Sequence, residues 1–303
     1  MARFVMYRSL QTVPVLFFVS IAVFASLHLV PGDPVNALFP PNASVTADAK
    51  IALRKQLGLD RPLPAQYLMW LERVLEGDFG TSITSQRPVG WLVQAAWPRT
   101  GELAVTSLGV GALVAVPVGV LLATRQGTVW DVLGSATALL GISFPTFALG
   151  ILLMLVFAIR LHWVPSLDSI VLPALTQGVG IAAILIRTLR ADLIHQLHAE
   201  YIRTAHAKGL AERVVLVRHV LRNALVGTVT VSGWIFGYQL GGAVVVERVF
   251  AWPGIGLLTV NAIYNRDYPV VLATILVFAV TYVFVNLVVD VAYGVLDPRV
   301  RYA

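Results

Sequence analysis

Long apolar runs separated by short polar segments dominate the chain. A helix needs about 20 mostly apolar residues to span the hydrocarbon core of a bilayer. Six segments meet that requirement, and we predict them as membrane spans over residues 12–30, 102–124, 132–159, 170–189, 224–246 and 269–291. The pattern therefore predicts an all-α membrane protein with six transmembrane helices.

Two of these spans carry features that affect the prediction. The third contains Ser143-Phe144-Pro145, and the amide donor that proline lacks predicts a bent helix at this point. The first follows Arg3 and Arg8, as the core of a cleaved signal peptide would. Its apolar run is longer than such a core and no small-x-small cleavage site follows, which favours a retained span.

Residues 31–100, between the first two spans, are predicted to form a structured extracytoplasmic loop. Thr46 caps one expected short helix, which ends at Gly58, and Pro64 opens a second. The apolar residues expected on one face of this second helix are Leu68, Leu71, Val74 and Leu75. The loop is expected to cap the outer mouth or to receive an external partner, and a decoration without a transport role is the alternative.

Composition supports a membrane protein and excludes several chemistries. The chain is 57% hydrophobic and only 13% charged, with a mean hydropathy of +0.79, whereas about a quarter of a soluble domain is charged. The net charge of +6 does not indicate nucleic acid, because the basic residues are scattered among apolar runs. The absence of cysteine excludes disulfides, thiolate metal sites and cysteine nucleophiles.

The distribution of Arg and Lys predicts the orientation. Six spans place both termini on one side, and short cytoplasmic loops are enriched in basic residues. If the termini are cytoplasmic, three basic residues lie in the short outside loops. Twelve then lie inside: Arg3, Arg8, Arg125, Arg187, Arg190, Arg203, Lys208, Arg213, Arg218, Arg222, Arg299 and Arg301. Both termini and the loop after the fourth span are therefore predicted to be cytoplasmic.

No catalytic or nucleotide-binding motif is found. None of the lysines follows a glycine, so the phosphate-binding Gly-Lys-Ser/Thr ending is absent. Gly-x-Ser-x-Gly and His-Glu-x-x-His are absent too, which argues against an integral membrane hydrolase. Ionisable residues avoid the centres of the spans, and this weakens the alternative of a stand-alone secondary transporter or channel. We predict no catalytic, cofactor-binding or metal-binding residues, and an energy source in another subunit.

One charged stretch, "EYIRTAHAKGLAERVVLVRHVLRN" over residues 200–223, stands between apolar segments. Gly209 predicts two short helical pieces that meet at a bend. In the second piece, one helix face collects Leu210, Val214, Val217 and Leu221. His195 and His198, just before the stretch, lack the Asp, Glu or Cys that would complete a metal site. A basic amphipathic helix lies on anionic lipid or docks on a partner, and the pattern alone leaves both readings open.

The sequence "EYIRTAHAKGL", followed by "HVLRNAL", resembles the cytoplasmic loop of permease subunits in ATP-binding-cassette importers of the peptide, glutathione and nickel branch. The resemblance covers essentially the whole chain. Further segments that carry it are "LVPGDP", "QLGLDRPLPAQY", "GDFGTS", "GISFPTFALG", "LGGAVVVERVFAWPGIG", "RDYPVV" and "NLVVDVAYGVLDPRVRY". Together they resemble the first of the two permease subunits, which has the long first outer loop.

This resemblance implies one permease domain over residues 1–303, with the type I importer architecture, in the bacterial plasma (inner) membrane. The implied partners are a second permease subunit, two cytoplasmic ATPase subunits that bind ATP and magnesium, and an extracytoplasmic solute-binding protein. The implied solutes are dipeptides, oligopeptides, glutathione, haem or nickel chelates.

The resemblance also implies two functional segments. Residues 200–222 would form the cytoplasmic coupling loop, in which a helix around 205–215 seats in a groove of an ATPase. The expected coupling residues are Arg203, Thr204, Ala205, Ala207, Lys208, Gly209 and Leu210. Aligned on Gly209, Arg203 takes the place of the glutamate of the wider importer pattern. At the other side, the residues expected at an outer gate or a binding-protein contact are Glu247, Trp252, Pro253, Gly254 and Asp267.

Overall fold

The computed structural model describes residues 2–29, 60–166, 168–240 and 243–296, and these are almost entirely helical. Within them, the extended pairing is a single isolated bridge between Thr81 and Pro88. The helices are α1 (Ala2–Leu29), α2 (Leu63–Leu75), α3 (Val89–Thr124), α4 (Val129–Ser143), α5 (Thr146–Arg160), α6 (Val171–Leu197), α7 (Glu200–Ala207), α8 (Glu212–Leu240), α9 (Val244–Val249), α10 (Ile255–Tyr264) and α11 (Tyr268–Leu296).

The predicted all-α membrane fold is confirmed. Five helices, α1, α3, α6, α8 and α11, are long and apolar enough to cross a bilayer alone. The pair α4 and α5 supplies the sixth span if it crosses as one broken element, with a bend of 98° between its parts. The break falls at Phe144 and Pro145, where the sequence predicts it, because Pro145 lacks the amide needed to continue α4.

Two predicted boundaries are wrong. The second span begins at Val89, not at residue 102, so residues 89–100 of the expected outer loop are helical. Val89 and Val93 pack against Ile255 and Val270, and this tertiary burial stabilises the additional helical turns, although Pro98 lies within them. The predicted fifth span runs to residue 246, but residues 244–246 belong to the separate helix α9.

Helix α2 is confirmed close to its predicted start, and the apolar residues expected on one face are unevenly buried. Leu71 and Val74 are half-buried. Leu68 and Leu75 are 62% and 79% exposed. The helix instead packs through Tyr67 and Trp70, whose rings lie 5.5 and 5.8 Å from the ring of Phe24 in α1. Aromatic side chains bury more area than leucine, so they select the packed face. The predicted helix over residues 46–58 lies outside the described residues.

Helices α3 and α6 form the centre of the bundle and approach each other closely. A methyl group added at Gly111 would lie 2.5 Å from Ile181, and one at Gly178 would lie 2.6 Å from Val110. Such contacts are shorter than real carbon atoms allow, so both positions require glycine. The spacing leaves the other sides of α6 free to receive α4 and α8.

A buried ion pair joins α4 to α6. Arg190 donates through Nε and Nη2 to the two carboxylate oxygens of Asp131, at 2.6 and 2.8 Å. The amide of Gly127 donates to the same carboxylate at 3.0 Å. Asp131 lies in the first turn of α4, where the helix dipole also favours a negative charge. This bidentate geometry fixes the loop between α3 and α4 against α6.

Asp131→Ala is expected to destabilise the subunit by about 3 kcal/mol, because it leaves the Arg190 guanidinium largely buried without its partner. The apparent melting temperature in detergent should fall by roughly 8 °C. Combining Asp131→Leu with Arg190→Met should recover most of this loss. Glu102→Ala, which breaks an exposed pair with Arg99, is the control and should change little. Equal losses of stability in Asp131→Ala and Glu102→Ala would contradict a special role for the buried pair.

Candidate functional sites at the two ends of the bundle

The segment predicted to couple to a partner is built around a left-handed turn at the end of α7. Gly209 has φ +74°, and no atom lies within 4 Å of the position a side chain would take. Its amide donates to the carbonyl of His206 at 2.9 Å, and the amide of Leu210 donates to the carbonyl of Ala205 at 3.4 Å. These two bonds form a Schellman motif, which needs a residue in the left-handed region. The sequence prediction of two helical pieces that meet at Gly209 is confirmed.

Helix α7 is anchored to the bundle by one face. Ile202 and Ala205 are 2% and 8% exposed and belong to a cluster that includes Leu189 and Leu193 of α6. Tyr201 reinforces this contact, because its hydroxyl donates to Gln196 Oε1 at 2.6 Å. One face of α7 is therefore packed against α6, and the other is left exposed.

The expected coupling residues divide into two groups. Ala205 is buried against α6, so it positions α7 and cannot itself touch a partner. The exposed members are Arg203, Thr204, Ala207, Lys208, Gly209 and Leu210. The first three lie on α7, and the last three follow it in the turn.

The start of α8 contains a π-helical segment that the sequence pattern did not predict. It covers Val215–Leu221, and it places Val215 and Val220, five residues apart, in the buried cluster. Val214 and Val217 are left 41% and 56% exposed. An α-helical period hides this arrangement, because it groups residues three and four apart.

We define the coupling surface as Leu210, Val214 and Val217 with Arg203, Lys208 and Arg213. The three apolar members are 38–56% exposed. Within the part of the chain that the structure describes, none of its three basic members forms an ion pair with a carboxylate. The surface therefore presents apolar side chains surrounded by available positive charge.

His198, considered above as a metal ligand, is bonded through Nδ1 to the Ile194 carbonyl. Residues 2–29, 60–166, 168–240 and 243–296 contain no cluster that could hold a metal ion.

At the opposite end of the bundle, a fully buried glutamate caps a helix to which it does not belong. Glu247 of α9 is 0% exposed. Its Oε2 accepts from the amide of Leu257 at 2.9 Å, and its Oε1 accepts from the Thr100 hydroxyl at 2.7 Å. Thr100 Oγ1 in turn accepts from the amide of Ile255 at 2.9 Å. The carboxylate and the hydroxyl thus satisfy amides in the first turn of α10 and join α3, α9 and α10.

We call Thr100, Glu247, Gly254 and Gly256 the Glu247 latch. A methyl group added at Gly254 would overlap the Glu247 carboxylate, and one at Gly256 would lie 2.8 Å from Glu247 Oε2. Burial raises the pKa of the Glu247 carboxyl above its ordinary value, against the opposing effect of the Thr100 hydroxyl and the backbone amides. The two glycines of "WPGIG" are therefore needed for the carboxylate to reach the helix.

Among the residues expected at an outer gate, only Pro253 is exposed. Trp252 is 5% exposed and donates from Nε1 to the Arg99 carbonyl at 2.9 Å. Because Glu247 and Trp252 are buried, their role here is to position the segment around Pro253. The sequence did not identify Thr100 as a site residue, since nothing local marks a residue whose partner is 147 positions away.

Asp267 fixes another loop at this end. It is 3% exposed, and its carboxylate accepts from the Ser82 hydroxyl at 2.5 Å and from the amides of Ile83 and Thr84 at 3.1 Å. Three donors on one carboxylate make this contact a strong tether between residues 81–88 and the start of α11. Asp267 is thus a positioning residue, and the expectation that it contacts a partner directly is not supported by its burial.

Asp267→Asn should release the loop at 81–88. The new side-chain NH2 group would replace one accepting oxygen and would face the Ser82 hydroxyl and the backbone amides, which are themselves donors. We expect amide hydrogen exchange of Ile83 and Thr84, whose amides are bonded to this carboxylate, to become at least tenfold faster. Asp60→Asn, an exposed position that makes the same chemical change, should leave the rate unaltered. Equal exchange rates of these amides in the two variants would show that Asp267 does not hold the loop.

Both ends of the chain match models of one transporter family. Residues 115–302 match the family described as "Binding-protein-dependent transport system inner membrane component". Residues 1–100 match "Binding-prot-dependent transport system membrane comp, N-term". The chain belongs to this family. It is accordingly a multi-pass inner membrane permease subunit of an ATP-binding-cassette importer, as its segments "EYIRTAHAKGL" and "WPGIG" led us to expect.

Similar permeases extend over the full length of the chain. The glutathione transport system permease protein GsiC of Salmonella paratyphi A is 41% identical over 307 residues, and that of Escherichia coli K12 is 41% identical over 309 residues. Each alignment covers 100% of both chains. The resemblance to the peptide and glutathione branch is thereby confirmed.

Solved importers share the fold of this permease. A structure of the MetNI methionine ABC transporter in an inward-facing conformation matches with a TM-score of 0.58 and 22% identity, over 68% of this chain and 97% of that one. An amino acid ABC transporter crystallised with histidines matches with a TM-score of 0.55 and 12% identity, over 67% and 92%. At these identities the likeness concerns the fold alone.

Proposed function

We propose that this permease carries peptides or a peptide-like solute such as glutathione, together with a second, distinct permease subunit. Two cytoplasmic ATPases would supply the energy, and an external solute-binding protein would deliver the solute. The full-length similarity to permeases named for glutathione transport supports this solute class. In this proposal both termini and the coupling surface face the cytoplasm, and the Glu247 latch faces outside.

The observation that carries the proposal is the exposed coupling surface on a firmly anchored loop. Leu210, Val214 and Val217 remain exposed although the neighbouring Val215 and Val220 are buried. Apolar side chains at the centre of a surface provide most of the affinity of a protein contact, and surrounding charges orient it. ATP-driven closure of the ATPases would displace α7 and α8, and the spans would alternate between outward and inward openings.

The opposite end would receive the solute-binding protein. A cavity of about 280 Å³ lies beside Pro253 and Gly254, between α3 and α10, and is lined also by Arg99 and Asn261. The Glu247 latch and the Asp267 tether hold the walls of this region in place. Closure or opening of the outer mouth would therefore move α9 and α10 together as one unit.

Reconstitution tests the proposed function. The permease pair, with its ATPases and loaded binding protein, should accumulate radiolabelled dipeptide, oligopeptide or glutathione in proteoliposomes only when ATP is present on the ATPase side. The permeases without ATPases should accumulate none. Uptake by the permeases alone would favour a stand-alone transporter or channel, and uptake of only non-peptide solutes would overturn the solute class.

A further inference from the structure

A cavity of about 440 Å³ lies where the broken third span meets α6, α8 and α9. Its walls include Phe147 beside the break, Gln177 of α6, and Trp234, Tyr238 and Gln239 of α8. The volume falls within the range of about 300–1,000 Å³ that small-molecule sites occupy. Phe147, Trp234 and Tyr238 are 51%, 52% and 65% exposed, so the cavity opens to the surface past three aromatic rings.

Two buried amide side chains line this cavity without hydrogen-bond partners among the described residues. Gln177 and Gln239 are each only 7% exposed. The oxygen Oε1 of Gln177 accepts no hydrogen bond, and the nitrogen Nε2 of Gln239 donates none. Buried polar groups are almost always paired, because an unpaired one loses its bonds to water without replacement. Two such groups on one cavity therefore indicate a ligand that supplies both a donor and an acceptor.

The chemistry of the walls restricts that ligand. The unpaired atoms are one acceptor and one donor, which complement the N–H and C=O of a secondary amide. Every other wall residue is apolar, aromatic or hydroxyl-bearing, and none is ionisable at neutral pH. A charged group would be desolvated here without compensation. The aromatic rings at the opening suit flat or apolar portions of a molecule.

We infer that this cavity is a transient site for a backbone amide of the transported solute, bound by Gln177 and Gln239. The inference rests on the proposed function and identifies the part of a peptide that the permease itself recognises. Two neutral hydrogen bonds provide modest affinity, which suits a path that a solute must also leave. Side chains of the solute would project past Trp234 and Tyr238, so the cavity would discriminate little between different side chains.

The test uses the whole complex in proteoliposomes at saturating, peptide-loaded binding protein. Gln177→Met and Gln239→Met retain the side-chain length but remove the amide. Each should lower the maximal uptake rate at least tenfold, with an unchanged KM for the loaded binding protein and intact stimulation of ATP hydrolysis. Gln94→Met, at an exposed position of α3 outside the cavity, is the matched control and should transport normally.

A second comparison tests the chemistry of recognition. In the wild-type complex, a peptide whose amide nitrogen is methylated should be taken up about tenfold more slowly than its parent. Gln177→Met removes the acceptor for that N–H and should abolish this preference, whereas Gln239→Met should retain it. Trp234→Ala, which removes one of the exposed rings at the opening, should also slow uptake. Normal uptake rates in both glutamine variants, or an unchanged preference in Gln177→Met, would overturn the inference. Loss of ATP-dependent uptake in the wild-type complex would instead overturn the proposed function.

Discussion

Replacing Val214 and Val217 together with glutamate is expected to release the ATPases from the permease. Both side chains are at least 41% exposed, so the substitutions should leave the bundle folded. In a docked complex they would be buried at the centre of the contact, where truncation of an important residue costs about 2 kcal/mol or more. Introduced carboxylates add desolvation to that cost. The affinity should fall roughly 30-fold or more.

Co-purification of the ATPases with tagged permease in detergent measures this effect, and ATP-dependent uptake should fall in parallel. Leu75→Glu introduces the same charge at an exposed leucine at the opposite end of the bundle, and it should leave the complex intact. If the loop only lies on lipid, the double variant will keep its ATPases. That outcome would contradict the assignment of the coupling surface.

Gly254→Ala is expected to destabilise the subunit strongly, through the Glu247 latch. The added methyl group overlaps the carboxylate that caps α10, so the latch must open or α10 must shift. Overpacking and the loss of buried hydrogen bonds together should destabilise the subunit by about 3 kcal/mol. The apparent melting temperature should fall by roughly 8 °C. Gly101→Ala, on α3 next to Thr100, has no atom within 4 Å of its new methyl group and is the matched control.

The pH dependence of stability provides an independent test of the latch. The pKa of Glu247 is raised by burial, so the folded protein binds more protons than the unfolded one between the ordinary value of 4.5 and the folded value. Stability contributed by this group is therefore complete below pH 4.5 and is lost as the pH rises through the folded pKa. The melting temperature of the wild type, measured relative to that of Glu247→Gln, should therefore fall as the pH rises through this range. Parallel curves would show that Glu247 does not titrate as its burial requires.

The sequence predicted the architecture well because membrane spans are long and their apolar composition is a strong local signal. The break at Pro145 and the turn at Gly209 were also predictable, since each depends on a backbone property of a single residue. The start of α3 at Val89 was missed because residues 89–100 are helical through packing on α10 and α11. Segment composition alone does not reveal such contacts.

The functional sites were predicted less completely. The sequence singled out both candidate segments but did not show that Ala205, Glu247 and Asp267 are buried. Their partners, such as Thr100 for Glu247, are distant in the chain. The π-helical segment changed which valines are exposed, and an α-helical period could not indicate this. Gln177 and Gln239 became informative only when their unpaired atoms were found in the same cavity.

The central claim is that separate ATPases drive this permease through the loop around Gly209. The chain contains no cysteine, so Lys208→Cys provides a single reactive site beside the coupling surface. The decisive measurement is uptake in proteoliposomes after this cysteine is crosslinked to one placed in the ATPase groove. We predict that the crosslink forms, halts ATP-driven uptake and permits it again after reduction. Failure to crosslink in every nucleotide state, or full uptake in the crosslinked complex, would contradict the claim.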